Sequence, residues 1–182
     1  MEPNNLELND KITVPVIIDA MKQINKTGSK IYRAGSILDY GVSLDSPCSN
    51  EQLEELENCI GYKLPADYRQ FLLLTNGLRL SSLFVSSRFF CLEELYSVRA
   101  SLTPPPCFLT IGTCADATID ISINLDDNDF SNIYTYDIMG DVHFNRLNCG
   151  FCIFLDRFIT TYGSTFWEWT MEKTEINQFN NE

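Results

Sequence analysis

Two cysteines near the end of the chain have a spacing that could serve redox or metal chemistry. Cys149 and Cys152 enclose two residues, as in thiol-disulfide active sites and in half of a zinc site. A zinc site needs two further ligands of suitable spacing, and the chain contains one histidine, His143. A cysteine nucleophile would have to take its base from this same histidine. The sequence therefore predicts no catalytic residue, no cofactor and no metal site, while a thiol switch stays open as an alternative.

The second half of the chain carries a run of acidic residues with no basic residue among them. Between Ile111 and Asn145 there is no Lys or Arg, and the seven carboxylates are Asp116, Asp120, Asp126, Asp127, Asp129, Asp137 and Asp141. The negative electrostatic field of such carboxylates steers a basic protein toward the surface that carries them. The same residues also suit turns and a solvated sheet face, which would serve only solubility. Calcium binding is disfavoured, because the stretch 126–129 lacks the alternating ligands and the glycine of a calcium loop.

The net charge narrows the class of partner. With 25 acidic and 13 basic residues, the chain has a charge of -12, which disfavours direct binding to nucleic acid or to an anionic membrane. No apolar run reaches the roughly 18 residues of a membrane span, and the start of the chain is unlike a signal peptide. Seven cysteines are an odd number, which disfavours a disulfide framework. We therefore expect a cytoplasmic protein whose partner is a basic protein, and the sequence leaves the oligomeric state open.

Residues 49–77 predict two short helices joined by a fixed corner. Ser49 and Gln52 can form a reciprocal capping box at the start of the first helix. Gly61 suits a left-handed cap at its end, and Pro65 suits the first turn of the second helix. The predicted apolar face of the first helix consists of Leu53, Leu56, Cys59 and Ile60, whereas Glu54, Glu55 and Glu57 are expected to face water.

This stretch resembles the signature of the SUKH superfamily, which includes fungal cell-wall-synthesis regulators and many bacterial immunity proteins. The signature is an acidic helix that ends in Gly, then Leu-Pro-x-Asp-Tyr, then an apolar helix that ends in Asn-Gly. The matching residues are Leu53, Leu56, Glu57, Gly61, Leu64, Pro65, Asp67, Tyr68, Phe71, Leu72, Asn76 and Gly77. The resemblance implies a fold, and it implies that the protein acts by binding another protein, most often a toxin.

The remaining patterns predict an α+β fold in a single domain. An N-terminal helix that ends at Gly28 is predicted by an apolar stripe, Val16, Ile17, Ala20, Met21 and Ile24. The stretch 118–125 alternates between apolar and polar residues and begins an antiparallel meander, with Asp120 and Ser122 on its solvated face. We expect a largely antiparallel sheet packed by helices. Residues 1–45 would form an N-terminal helix and an extended segment, and residues 46–182 the SUKH-like domain.

Three functional hypotheses from different classes follow. The leading one is an immunity protein that neutralises a basic, nuclease-type toxin through an acidic face on the meander. The second is a regulatory or scaffold protein of the same fold, which docks a cellular partner through the N-terminal helix and Trp167 or Trp169. The third is a cysteine-dependent enzyme or thiol switch at Cys149 and Cys152.

Overall fold

The computed structural model describes residues 12–33, 35–82, 85–101, 106–114, 118–126, 132–138 and 144–168. In this part of the chain the helices are α1 (Val14–Thr27), α2 (Asn50–Ile60), α3 (Ala66–Leu74), α4 (Leu92–Ser101) and α5 (Phe151–Thr160), followed by a 3-10 turn at Phe166–Glu168. The strands are β1 (Ser29–Arg33), β2 (Ser36–Leu44), β3 (Leu78–Ser82), β4 (Val85–Phe89), β5 (Phe108–Cys114), β6 (Ile119–Asn124), β7 (Ile133–Asp137) and β8 (Phe144–Arg146). Among the helices described, none is long and apolar enough to cross a membrane.

The described strands form one antiparallel sheet in sequence order from β1 to β8. In the predicted meander, β6 pairs with β7 so that Ile121 lies opposite Thr135 and Ile123 lies opposite Ile133. A bulge between Thr110 and Gly112 shifts the register of β5 against β6. The predicted α+β fold with a largely antiparallel sheet is confirmed.

Aromatic residues join this sheet to α3 and α5. The ring of Phe89 on β4 lies 5.6 Å from Phe71, 5.6 Å from Phe151 and 5.4 Å from Phe158, measured between centroids. Tyr68 packs edge-on against Phe151 at 4.9 Å. These rings are buried, so α3 and α5 cover one face of the sheet. We call it the helix-covered face, and its strand residues are Leu78, Leu80, Phe89, Ile121, Ile123 and Ile133.

The N-terminal helix is part of this packing. Its buried residues are Val14, Ile17, Ile18 and Met21, and it contacts α3, α5 and β2. Val16 is 57% exposed and Ala20 is exposed as well, so the predicted apolar stripe was wrong at these two positions. The predicted and the buried sets both follow the helical period, and the buried face is rotated toward Val14 and Ile18. Since β2 also pairs with β3, residues before 45 supply a strand of the sheet.

Two residues of α2 lie on the opposite side from the one predicted. Glu57 is 5% exposed, and Cys59 is exposed. The buried stripe of α2 is Leu53, Leu56, Glu57 and Ile60. Glu57 belongs to it because it follows Leu53 by four positions, whereas Cys59 follows Leu53 by six and falls off the stripe.

Candidate partner-binding surface

The face of the sheet opposite the helix-covered face carries four neighbouring aromatic rings. The centroid of Phe108 lies 5.1 Å from that of Tyr134 and 4.5 Å from that of Phe144. Tyr136 lies 5.3 Å from Phe144, and all four side chains are half-buried. The guanidinium of Arg146 is 6.0 Å from the ring of Tyr134. We call Phe108, Tyr134, Tyr136 and Phe144 the aromatic cluster, and the surface that carries them the second face.

Strand register explains how these rings meet. Tyr134 and Tyr136 alternate with Ile133 and Thr135, so both point to the second face, as their spacing predicts. The pairing of β7 with β8 then sets Tyr136 opposite Phe144. Phe108 joins from β5, two strands away from Tyr134. The contributions of Phe108 and Phe144 were missed in the sequence, because no local pattern links residues so far apart in the chain.

The seven predicted aspartates do not all occupy one described surface. Asp116, Asp127, Asp129 and Asp141 lie outside the described residues. Asp126 is exposed in the turn after β6, where its amide donates to the side chain of Asn124. Asp137 is exposed at the end of β7 and pairs with Ile119, which puts it on the same side of the sheet as the helix-covered face. Of the two predicted aspartates that lie within described strands, only Asp120 points to the second face.

Asp120 is buried, contrary to the predicted solvated strand face. Its exposure is 5%, and that of Ser122 on the same side of β6 is 1%. Thr113 on β5 and Tyr136 on β7 lie directly opposite Asp120. Burial raises the pKa of Asp120 from 3.8 to about 6. Within the part of the chain that the structure describes, no hydrogen bond or ion pair joins this carboxylate to another residue.

The charge on the rest of the second face is mixed. Arg79 on β3 lies directly opposite Arg88 on β4, and Arg88 in turn lies opposite Thr113. Nη1 of Arg88 is 2.7 Å from Oε1 of Glu94, an ion pair that offsets one of these two cations. The described second face therefore carries aromatic rings toward its β8 edge and arginines on β3, β4 and β8, instead of forming a uniform acidic field.

The corner between α2 and α3 is held by the buried carboxylate of Glu57. Oε1 accepts a hydrogen bond from the amide of Leu64 at 3.1 Å, and Oε2 accepts one from Nζ of Lys63 at 2.7 Å. Nε of Arg69 lies 3.6 Å from Oε1. Burial by itself would raise the pKa of Glu57, but these hydrogen bonds and positive charges outweigh it and lower the pKa. The carboxylate therefore holds the corner between the two helices together and is not free for catalysis.

Comparison with known families assigns the fold. The model of the SMI1 / KNR4 family (SUKH-1) matches residues 47–181. The chain belongs to this family. It is also 25% identical over 123 residues to the uncharacterized protein YnaB of Bacillus subtilis (strain 168), an alignment that covers 67% of this chain and 83% of that protein. The SUKH resemblance predicted from residues 49–77 is confirmed.

Several signature residues of this SUKH-1 chain serve as helix caps. Oδ1 of Asp67 accepts from the amide of Tyr68 at 2.9 Å, and Oδ2 accepts from the amide of Cys152 at 2.9 Å. Cys152 lies in the first turn of α5, whose N-cap residue, Gly150, makes no side-chain cap. One carboxylate therefore satisfies amides at the starts of both α3 and α5, where the helix dipoles also favour negative charge.

The Asn-Gly pair at the end of the signature has a similar role. Oδ1 of Asn76 accepts from the amide of Leu92 at 2.8 Å, which caps α4. Gly77 has a φ of 111°, and a Cβ there would lie 3.1 Å from the carbonyl oxygen of Phe89. Both the backbone angle and the close approach require glycine.

The other signature residues are mostly inside the protein or at the corner. Tyr68 and Phe71 are 0% exposed, and Leu64 is 6% exposed. Gly61 adopts the predicted left-handed cap, while Pro65 is half-buried as the N-cap of α3. The described residues of the SUKH-1 signature therefore serve mainly as a framework for the fold.

The C-x-x-C motif lies at the start of α5 and has no activated thiolate. Cys149 is buried and Cys152 half-buried, and burial raises the pKa of both thiols. Sγ of Cys152 donates to the carbonyl oxygen of Ile12 at 3.6 Å. His143 lies outside the described residues. Among those described, no three His, Cys, Asp or Glu side chains group closely enough to hold a metal ion.

Proposed function

We propose that this SUKH-1 protein is a non-enzymatic immunity protein that binds and neutralises a basic, nuclease-type toxin. The observation that supports the proposal best is the aromatic cluster on the second face. Protein interfaces are enriched in Tyr, Phe and Arg at their centres, and such residues supply most of the binding energy. Four half-buried rings beside Arg146 offer this composition on the second face.

Charge supports the choice of a basic partner. The chain carries -12, and the segment between Ile111 and Asn145 has seven aspartates and no basic residue. We assign the partner-binding role to these residues, which are Asp116, Asp120, Asp126, Asp127, Asp129, Asp137 and Asp141. Nuclease toxins are basic because they bind phosphates, so an acidic inhibitor can occupy the same surface. The proposal includes neither nucleic acid nor a membrane as a direct partner.

The test begins with a tagged protein in its native host, from which a retained toxin is eluted by salt and identified. Purified toxin and protein are then titrated against each other at low and moderate salt. The first variant replaces Asp126, Asp127 and Asp129 by Asn. A matched control replaces Glu51, Glu54 and Glu55 by Gln, which removes the same charge from the exposed side of α2.

We expect the aspartate variant to weaken toxin binding on the order of tenfold, since each exposed ion pair contributes about 0.2 to 1 kcal/mol. The control should shift affinity much less, because its charges lie on α2, outside the acidic segment between Ile111 and Asn145 to which we assign binding. Rescue of cell growth by co-expression would show neutralisation. Equal affinities of the aspartate variant and the wild type would refute the acidic-face proposal, and toxin activity that persists in the complex would refute immunity.

A second candidate function is a scaffold or regulatory role, and one observation favours it. Tyr32 on β1 and Ile37 on β2 lie directly opposite each other and are 76% and 73% exposed. Such an exposed apolar pair at a sheet edge suits a protein contact. The scaffold hypothesis placed docking on the N-terminal helix and on Trp167 or Trp169. The apolar side of that helix is packed inside the protein, and the ring of Trp167 lies 5.9 Å from that of Phe154, measured between centroids. Trp169 lies outside the described residues. Changing Tyr32 and Ile37 to Ser should abolish binding of a non-toxin partner if this role holds.

A further inference from the structure

We propose that Asp120 is the receptor for an arginine side chain of the partner, with the ring of Tyr136 stacking on the guanidinium. The inference rests on the proposed function, because it names the group of a basic partner that the second face recognises. It adds a specific contact to the general attraction of the acidic turns.

Asp120 is buried without a compensating charge among the described residues. A carboxylate with 5% exposure ordinarily has hydrogen bonds or a cation beside it, because desolvation without compensation is costly. Glu57 shows the ordinary case in the same protein, with Lys63, Arg69 and the amide of Leu64 around it. Asp120 has no such partner in the described ranges, and its raised pKa reflects burial. A cation from outside would supply the missing charge.

The aromatic neighbours of Asp120 are suited to a guanidinium. Tyr136 lies directly opposite Asp120, and the ring of Phe144 continues the aromatic surface at 5.3 Å from Tyr136. A guanidinium binds a carboxylate through two parallel hydrogen bonds and also stacks on an aromatic ring. An ammonium group stacks on a ring less well. The second face already holds one such pair, since Arg146 lies over Tyr134. The combination of carboxylate and ring selects arginine.

The route to the carboxylate lies on the side of Tyr136. Thr113, on the other side of Asp120, is itself buried, with an exposure of 7%. Tyr136 is half-buried and lies on the last but one strand of the sheet, next to the three-residue strand β8. An incoming guanidinium therefore enters beside the Tyr136 ring or displaces it. Binding should change the environment of this ring and of Asp120 together.

The test uses the full chain and a single-residue probe. N-acetyl-arginine amide is titrated into the isotope-labelled protein, and backbone amide shifts are followed by NMR. N-acetyl-citrulline amide is the control probe, because it has nearly the same shape and no charge. Asp120→Asn removes the proposed receptor, and Asp39→Asn is the matched control, an exposed aspartate on β2 of the same sheet.

We expect saturable shifts at Thr113, Asp120 and Tyr136 with the arginine probe, and none with the citrulline probe. Asp120→Asn should abolish saturation and Asp39→Asn should leave it unchanged. Equal shifts with both probes, or saturation that survives Asp120→Asn, would overturn the proposal. A decrease of toxin affinity by at least about tenfold in Asp120→Asn is expected as well, the size of a lost charge-assisted contact.

The outcomes separate this inference from the proposed function. Toxin binding that is unaffected by Asp120→Asn would refute the arginine receptor and leave the immunity role standing. Saturable arginine binding at Asp120 in a protein that neutralises no toxin would refute the immunity role and leave the arginine receptor standing.

Discussion

Replacing Asp120 by Asn should stabilise the isolated protein at neutral pH. A pKa raised from 3.8 to about 6 means that the folded state disfavours the charged carboxylate. At about 1.36 kcal/mol per pH unit, this difference corresponds to roughly 3 kcal/mol of lost stability once both states are ionised. Asparagine has nearly the same shape and no charge. We expect a gain of about 1 to 3 kcal/mol, the lower value allowing for the buried amide.

The pH dependence has a definite sign. Between pH 3.8 and about 6 the folded protein retains a proton on Asp120 that the unfolded chain has released, so the free energy of unfolding falls as the pH rises. Above about pH 6 both states are ionised and the loss is complete. The advantage of Asp120→Asn should therefore be about half developed near pH 5 and full near pH 8.

Urea denaturation followed by tryptophan fluorescence measures this directly, at several values from about pH 5 to pH 8. The difference between variant and wild type isolates Asp120 from the other carboxylates that titrate in the same range. Asp39→Asn is the control for the loss of an exposed carboxylate from the same sheet, and its effect should be small. A variant as stable as the wild type at pH 8 would refute the reasoning, because the charge of Asp120 would then be compensated within the folded chain.

Changes at three further positions test the framework by urea denaturation. Tyr68→Ala should lower the free energy of unfolding by about 3 to 5 kcal/mol. Tyr68→Phe should be neutral or stabilising, because the buried hydroxyl has no partner among the described residues. A large loss of stability in the Phe variant would instead reveal a hydrogen bond of this hydroxyl. Asp67→Ala should cost about 1 to 2 kcal/mol through the lost caps at the amides of Tyr68 and Cys152, and no loss would mean that water replaces them. Glu57→Gln should lower the free energy of unfolding by about 2 kcal/mol, because it weakens the contact with Lys63. An unchanged free energy of unfolding at pH 7 would contradict this prediction.

The local parts of the fold were predictable because short-range chemistry determines them. The capping box is present, with the amide of Gln52 donating to Oγ of Ser49 at 3.3 Å and the amide of Ser49 donating to Oε1 of Gln52 at 2.9 Å. Gly61 has the left-handed backbone expected of a helix end. The alternation of β6 and β7 likewise follows from a period of two. In each case the residues concerned lie within a few positions of one another.

The positions that were wrong or missed depend on contacts between distant residues. Glu57 looked solvated because charge is usually on the outer side of a helix, yet the corner brings Lys63 and the amide of Leu64 to it. Asp67 caps a helix that begins about 85 positions later in the chain. The burial of Asp120 depends on neighbouring strands, which a helix or strand pattern does not reveal. Charge alone was thus a poor guide to exposure here.

In the proposed complex, exposed carboxylates and the buried carboxylate of Asp120 should contribute to binding in different ways. Exposed carboxylates such as Asp126 act over long distances and are screened by salt, so they should govern mainly the rate of association. A buried group such as Asp120, beside Tyr136, acts only on contact and should govern mainly the rate of dissociation. A partner selected by charge alone would be shared with many basic proteins. The fit of one side chain between a carboxylate and an aromatic ring is what would make the interaction specific.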